Sequence, residues 1–202
     1  DPKYKTGFDR NLWIWKTYDP RRKYFLVADV ARGDGEDSSV FHIIDSDSME
    51  QVAEYKGKIP IDIFAPLIYE TSKEYGGCLT VVENNSIGMA VLDKLREMRH
   101  PNLYYSRKVS HEYVDQYVAE HQVSATPGFS TTVKTRPLVV AKLEELIRNK
   151  VLKINSARLL SELKTFVWNN GRAAAMKGYN DDLAMAAAIA CWVRETAIIV
   201  NT

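Results

Sequence analysis

The chain has 202 residues, is 46% hydrophobic, and sets 27 Lys+Arg against 26 Asp+Glu for a formal net charge of +1. That is enough chain for one α/β domain with a substantial core, and the charge balance excludes a global field drawing it onto nucleic acid or membrane, so any such contact must be local. No apolar run approaches the roughly 20 residues of a membrane span, no signal peptide opens the sequence, and Cys78 and Cys191 form neither a C-x-x-C pair nor a zinc spacing. A soluble protein of a reducing compartment is expected. The start at Asp1-Pro2, without methionine, leads one to expect a piece of a longer polypeptide.

Residues 1–23 are polar and turn-rich with scattered aromatics (Tyr4, Phe8, Trp13, Trp15, Tyr18), which predicts a lead-in segment packed on a domain spanning 24–202. Tyr24 to Ala28 is a near-continuous apolar run, the pattern of a central strand buried on both faces, and it ends at Asp29. A turn rich in glycine and acid (32–37) follows, then strands over Ser39–Ile44 and Gln51–Lys56, so the three form an antiparallel meander. Ile61 to Tyr75 predicts an amphipathic helix with Asp62 as N-cap, Pro66 in its first turns and Gly76-Gly77 as its stop. Leu79 to Val82 is a second short buried strand, ending at Glu83 and passing through Asn84-Asn85-Ser86 into a helix from Ile87 to about Arg99. Leu103-Tyr104-Tyr105 predicts a strand, Arg107 to Gly128 a loop or hairpin excursion, and Arg136–Asn149 and Ser156–Phe166 two helices. A turn at Asn169-Asn170-Gly171 precedes a last helix from Asp181 to about Thr196.

Three of these elements end or begin in acids. Asp29 and Glu83 close two strands, and Asp181-Asp182 open the last helix; in an α/β sheet, functional groups gather beyond the carboxyl ends of adjacent strands. Taken singly, each acid also has an ordinary reading as a strand end, a turn residue or a helix cap. Taken together, clustered carboxylates repel one another unless a cation neutralises them, and all-oxygen ligands select Mg2+ or Mn2+. Two such ions about 4 Å apart serve in-line displacement at a phosphodiester, which needs no side-chain nucleophile and agrees with the lack of a G-x-S-x-G motif. Asp37, in the turn after Asp29, is a candidate supporting acid.

This order of elements and acids resembles the ribonuclease H-like nucleases and integrases. Ala28-Asp29-Val30-Ala31-Arg32-Gly33-Asp34-Gly35-Glu36-Asp37-Ser38-Ser39, Val81-Val82-Glu83-Asn84-Asn85 and Gly178-Tyr179-Asn180-Asp181-Asp182-Leu183-Ala184-Met185-Ala186 resemble the three nuclease motifs of tailed-phage terminase large subunits, most like the T-even type. Gly128 to Thr132, Lys134 to Pro137 and Glu162 to Trp168 also look familial, so the resemblance spans most of Tyr24 to Trp192. It implies an α/β ribonuclease H-like fold: a central mixed sheet, three antiparallel strands and then parallel ones, flanked by helices. It implies a catalytic, metal-binding triad of Asp29, Glu83 and Asp182, with Asp37 and Asp181 as accessory acids. Adjacent helix-start residues diverge by about 100 degrees, so spacing leaves Asp181 against Asp182 open; Asp182 is preferred. The implied activity is endonucleolytic cutting of concatemeric viral double-stranded DNA during genome packaging in the host cell cytoplasm. The implied partners are an N-terminal ATPase domain of the full-length protein, the portal and procapsid, and a small terminase subunit. No phosphate-loop motif occurs, so ATP hydrolysis is not expected of these residues. Another ribonuclease H-like nuclease (a resolvase or a transposase-like enzyme), or a non-catalytic module docking portal or ATPase, are the alternatives.

A nuclease of low sequence preference needs chiefly phosphate contacts from Lys and Arg. Arg32 and Lys177 are the preferred candidates, with Arg172, Arg107, Lys108, Lys134 and Arg136 behind them; each is equally an ordinary solvated surface residue. His111 and His121, flanking Tyr113 and Tyr117, lack the further ligands of a metal site. Trp13 and Trp15 suit packing within the domain better than docking of an ATPase.

Overall fold

The computed structural model describes residues 1–31, 37–169 and 172–198, with the side chains of Ser86, Asn169 and Arg172 also outside the description. Its centre is a six-stranded mixed sheet in the order β1-β2-β5-β4-β3-β6. Strands β3 (Tyr24–Asp29), β4 (Ser39–Asp45) and β5 (Glu50–Gly57) form the expected antiparallel meander, and β6 (Leu79–Val82) runs parallel to β3. The edge differs from expectation. β1 (Tyr4–Thr6) and β2 (Leu12–Ile14), read above as lead-in, are strands of the sheet itself: β2 pairs with β5 and buries Leu12 and Ile14.

Strand alternation divides the apolar residues between two layers. Phe25 and Val27 of β3, Val40 of β4 and Val81 of β6 face one core; Leu26, Ala28, Phe41, Ile43 and Val82 face the other. The second core is covered by α1 (Ile61–Glu74) and α2 (Ser86–Glu97), which pack on each other. The first holds α3 (Arg136–Arg148), α4 (Ala157–Thr165) and α5 (Asp182–Val193), which runs on into a π turn at Arg194–Ile198. Helix α5 is apolar all round and buried along its length except at Trp192, as a helix lying between a sheet and other helices must be. Its run of alanines lets it lie close against β3 and β4.

Other departures have local causes. Helix α1 begins one residue before the predicted cap: Pro60 is the N-cap, its carbonyl accepting the N–H groups of Ile63 and Phe64, while Asp62 lies in the first turn. The strand predicted at Leu103–Tyr105 does not extend the main sheet. Leu103 meets Thr80 in a single parallel bridge, and the chain then turns into β7 (Tyr105–Arg107), which with β8 (Gln116–Val118) and β9 (Thr126–Pro127) forms a separate antiparallel sheet. The excursion is thus ordered into strands. A hairpin of β10 (Phe166–Asn169) and β11 (Arg172–Ala175) follows α4 directly, where only a turn was expected.

Candidate functional site

Parallel pairing sets Val27 opposite Val81 and Ala28 opposite Val82, and the Glu83 N–H donates to the Ala28 carbonyl at 2.9 Å. The chain therefore brings Asp29 and Glu83 out of neighbouring strands at the same level. Alternation places Asp29 with Val27 and Glu83 with Val81, on the face that α5 covers. Two glycines allow this crowding. A Cβ on Gly88, in the first turn of α2, would stand 1.7 Å from the Glu83 carbonyl oxygen, and one on Gly128, which has φ +85°, would stand 2.5 Å from the Val82 carbonyl oxygen. Phe129, next to Gly128, bridges Glu83 from the open side.

Burial pushes the Asp29 carboxyl well above the usual carboxylate range, and the Glu83 charge, a hydrogen bond shared with Glu83, and the charges of Asp182 and Asp181 push the same way. The sequence-predicted acids are thus electrostatic neighbours. Glu83 is 7% exposed and Asp182, the first residue of α5, is 9% exposed. Burial raises Asp182 to about 6, against the stabilising N–H of Ser38, which reaches its Oδ2 at 2.9 Å; the charges of Glu162 and Asp37 raise it further and Lys56 lowers it. Asp37 is itself exposed at the approach to β4. Among the described residues no three acids close tightly enough on one point to enclose an ion, and like-charged carboxylates repel when nothing lies between them.

The paired aspartates separate by their partners. Asp181 Oδ2 accepts from the Arg136 guanidinium and from the Ala175 N–H at 3.2 Å, while Arg136 Nε also donates to the Ala173 carbonyl at 2.8 Å. Asp181 thus braces α3 against β11, whereas Asp182 accepts from the Ser38 N–H in the loop before β4.

Two residues escaped the sequence reading. Lys56 lies opposite Val40, which lies opposite Asp29, so the three form a row across β5, β4 and β3 on the α5 face. Its Nζ donates to Glu162 Oε1 at 2.6 Å, and Glu162 Oε2 accepts the Ala184 N–H at 3.0 Å. Pairing parity from Asp29 could have flagged Lys56; Glu162 lay in a segment singled out only for its resemblance.

Of the candidate phosphate contacts, Arg32 and the side chain of Arg172 lie outside the described residues. Lys177 is exposed in the turn before α5, Lys108 is exposed just after β7, and Arg107 is half-buried at its end. Lys134 is exposed with its Nζ 5.7 Å from the Tyr113 ring centre, and Arg136 is engaged by Asp181. His111 and His121 are exposed. Trp13 packs within the domain, between Lys5 and Arg158. No helix among the described residues is long and apolar enough to cross a membrane.

A mixed sheet with helices on both faces and two carboxylates beyond neighbouring parallel strand ends defines an α/β domain with an acidic site. No family model matches the sequence, but solved structures do match the fold. The large terminase nuclease from thermophilic phage G20c with bound magnesium superposes with a TM-score of 0.72 at 18% identity, covering 95% of this chain and 90% of that one. The Thermus phage P74-26 large terminase nuclease domain gives 0.70 at 18%, over 94% and 87%. The human cytomegalovirus terminase nuclease domain, soaked with manganese and inhibitor-bound, gives 0.53 at 12%, over 86% and 85%. The chain has the fold of the large terminase nuclease domains.

Proposed function

We propose that the chain is a divalent-metal-dependent endonuclease domain of a phage DNA-packaging terminase, with Asp29, Glu83 and Asp182 as its metal ligands. The observation that supports this is that Asp29 and Glu83 leave neighbouring parallel strands at the same level, while Asp182, at the start of the helix packed on that face, adds its charge to that of Glu83 in raising the cost of ionising Asp29. The donor set fits a hard cation: it is all carboxylate oxygen, and a buried cluster of like charge is stabilised most by a small divalent ion, Mg2+ or Mn2+. The comparison structures solved with magnesium, cobalt, zinc and manganese support a divalent metal on this fold.

Two ions held there would supply water activation and stabilisation of the leaving oxygen in phosphodiester hydrolysis. The protein's own residues do the rest. Asp29 and Glu83 offer facing oxygens from a rigid sheet, Ser38 fixes one oxygen of Asp182, and Asp181 steers the helix start through Arg136. Asp37, exposed beside Asp182, supports the site electrostatically. Exposed Lys177, Lys108 and Lys134, with Arg107 and the undescribed Arg32 and Arg172, supply contacts to the phosphates of double-stranded DNA at nearly neutral net charge.

On this reading the substrate is concatemeric viral DNA. The domain works in the host cytoplasm beside an ATPase domain of the same polypeptide, the portal and procapsid, and a small terminase subunit. Incubation with supercoiled plasmid and Mg2+ or Mn2+ tests it: nicked and linear DNA are expected, and chelation stops their formation. A folded, metal-loaded protein that leaves the plasmid intact would support a docking module instead.

A further inference from the structure

Helix α5 carries Asp182 but does not cap itself. Its N-cap residue, Asp181, makes no side-chain cap bond, because its carboxylate is taken by Arg136 and the Ala175 N–H. The N–H groups of a first helical turn have no partners inside the helix and must find them elsewhere. Here they find Glu162, which lies 22 residues before Ala184 and on another helix. Its Oε2 accepts the Ala184 N–H at 3.0 Å, and the Leu183 N–H is directed at it as well.

A carboxylate only 6% exposed is costly to bury unless paired and hydrogen-bonded. Glu162 is both: Lys56 Nζ lies 2.6 Å from its Oε1, and the positive end of the α5 dipole faces its Oε2. Across the same turn, His42 Nε2 donates to the Leu183 carbonyl at 2.9 Å, with its Nδ1 2.9 Å from Gln51 Nε2. The first turn of α5 is thus held at its N–H groups by Glu162 and at a carbonyl by His42, while the Ser38 N–H holds Asp182 Oδ2 at 2.9 Å.

We infer that Glu162, clamped by Lys56, is a positioning residue for the metal site: it caps α5 from α4 and so fixes the direction in which Asp182 presents its carboxylate. In this role Glu162 acts through Asp182, by way of the first turn of α5. The inference rests on the metal-site reading above and adds to it a residue outside the acid triad.

The test compares the 202-residue protein with Glu162→Gln and Lys56→Met, by Mn2+ titration calorimetry and by cutting kinetics over a range of Mn2+ and DNA concentrations. Glutamine keeps the shape but has one accepting oxygen where the carboxylate uses two, so it cannot serve both Lys56 and the Ala184 N–H, and Glu162→Gln is expected to fold with its cap loosened. Its Mn2+ Kd should rise about tenfold and its kcat at saturating Mn2+ should fall, with KM for DNA unchanged. Lys56→Met should weaken Mn2+ binding in the same direction. Wild-type Mn2+ affinity and kcat in folded Glu162→Gln, or a lower Tm with no change in Mn2+ Kd, would overturn the inference. If Glu162→Gln does not fold, Lys56→Met decides alone, and wild-type affinity in it overturns the inference equally. Wild-type protein that binds no Mn2+ would remove the metal-site reading and this inference with it, whereas wild-type binding that Glu162→Gln leaves untouched removes only the inference.

Discussion

Asp29 and Glu83 emerge side by side from parallel strands, tied by the hydrogen bond from the Glu83 N–H to the Ala28 carbonyl at 2.9 Å. That backbone tether holds two carboxyls together against their repulsion, and the Asp29 pKa lies well above its ordinary value, through burial first and Glu83 second. An acid whose pKa is raised on folding stabilises the fold below its unfolded pKa, and that contribution is lost as pH rises through the folded value. Asp29→Asn should therefore abolish cutting yet raise metal-free stability near neutral pH by about 1 kcal/mol. Thermal melts in chelator, run beside plasmid assays, check both; retained cutting removes Asp29 from the proposed ligands.

Asp182, raised to about 6, links metal binding to pH. Below that value a proton occupies the carboxyl and an ion must displace it, so affinity falls as pH falls. Mn2+ affinity measured by calorimetry should drop by up to about tenfold per pH unit, for this one carboxyl, on acidification below 6. A flat profile from pH 5 to 7.5 would count against Asp182 as a ligand.

Adjacent in sequence, Asp181 and Asp182 should behave as opposites. Asp182→Asn is expected to eliminate activity with little loss of stability. Asp181→Asn breaks the pair with Arg136 and the bond from Ala175, both partly buried, and should cost about 1–3 kcal/mol while leaving measurable cutting at high Mn2+. Arg136→Ala should reproduce the Asp181 phenotype. Urea melts and cutting assays on the three variants distinguish the roles.

Gly88→Ala probes the backbone around Glu83. A methyl 1.7 Å from the Glu83 carbonyl oxygen cannot be accommodated without moving α2 or the residue itself. Overpacking of this kind costs about 1–3 kcal/mol, and cutting should fall by more than the stability loss explains. Full activity in a folded Gly88→Ala would mean that Glu83 need not be held where it is.

The sequence made the sheet centre and the acids legible, and physical reasons explain the remainder. The buried runs Tyr24–Ala28 and Leu79–Val82 are unambiguous because both faces are covered, and the acids that end them need only parallel pairing to meet. β1 and β2 are strands of three residues each, β1 at the sheet edge and β2 between it and β5, too short to show a period. The β10–β11 hairpin was hidden because Ala173 to Ala175 have little strand preference; pairing with Phe166 to Trp168 makes them a strand. Asp181 and Asp182 could not be told apart by spacing, since what separates them is Arg136, forty-five residues away in the chain. Glu162 was out of reach for the same reason, as a cap supplied from another helix leaves no local signature.

A crystal of the protein soaked in Mn2+, with anomalous density measured at the manganese edge, tests the metal site most directly. Density is expected among Asp29, Glu83 and Asp182, as two peaks about 4 Å apart, with Asp181 still on Arg136. Manganese bound only elsewhere, or ligated by Asp181 in place of Asp182, would contradict the assignment.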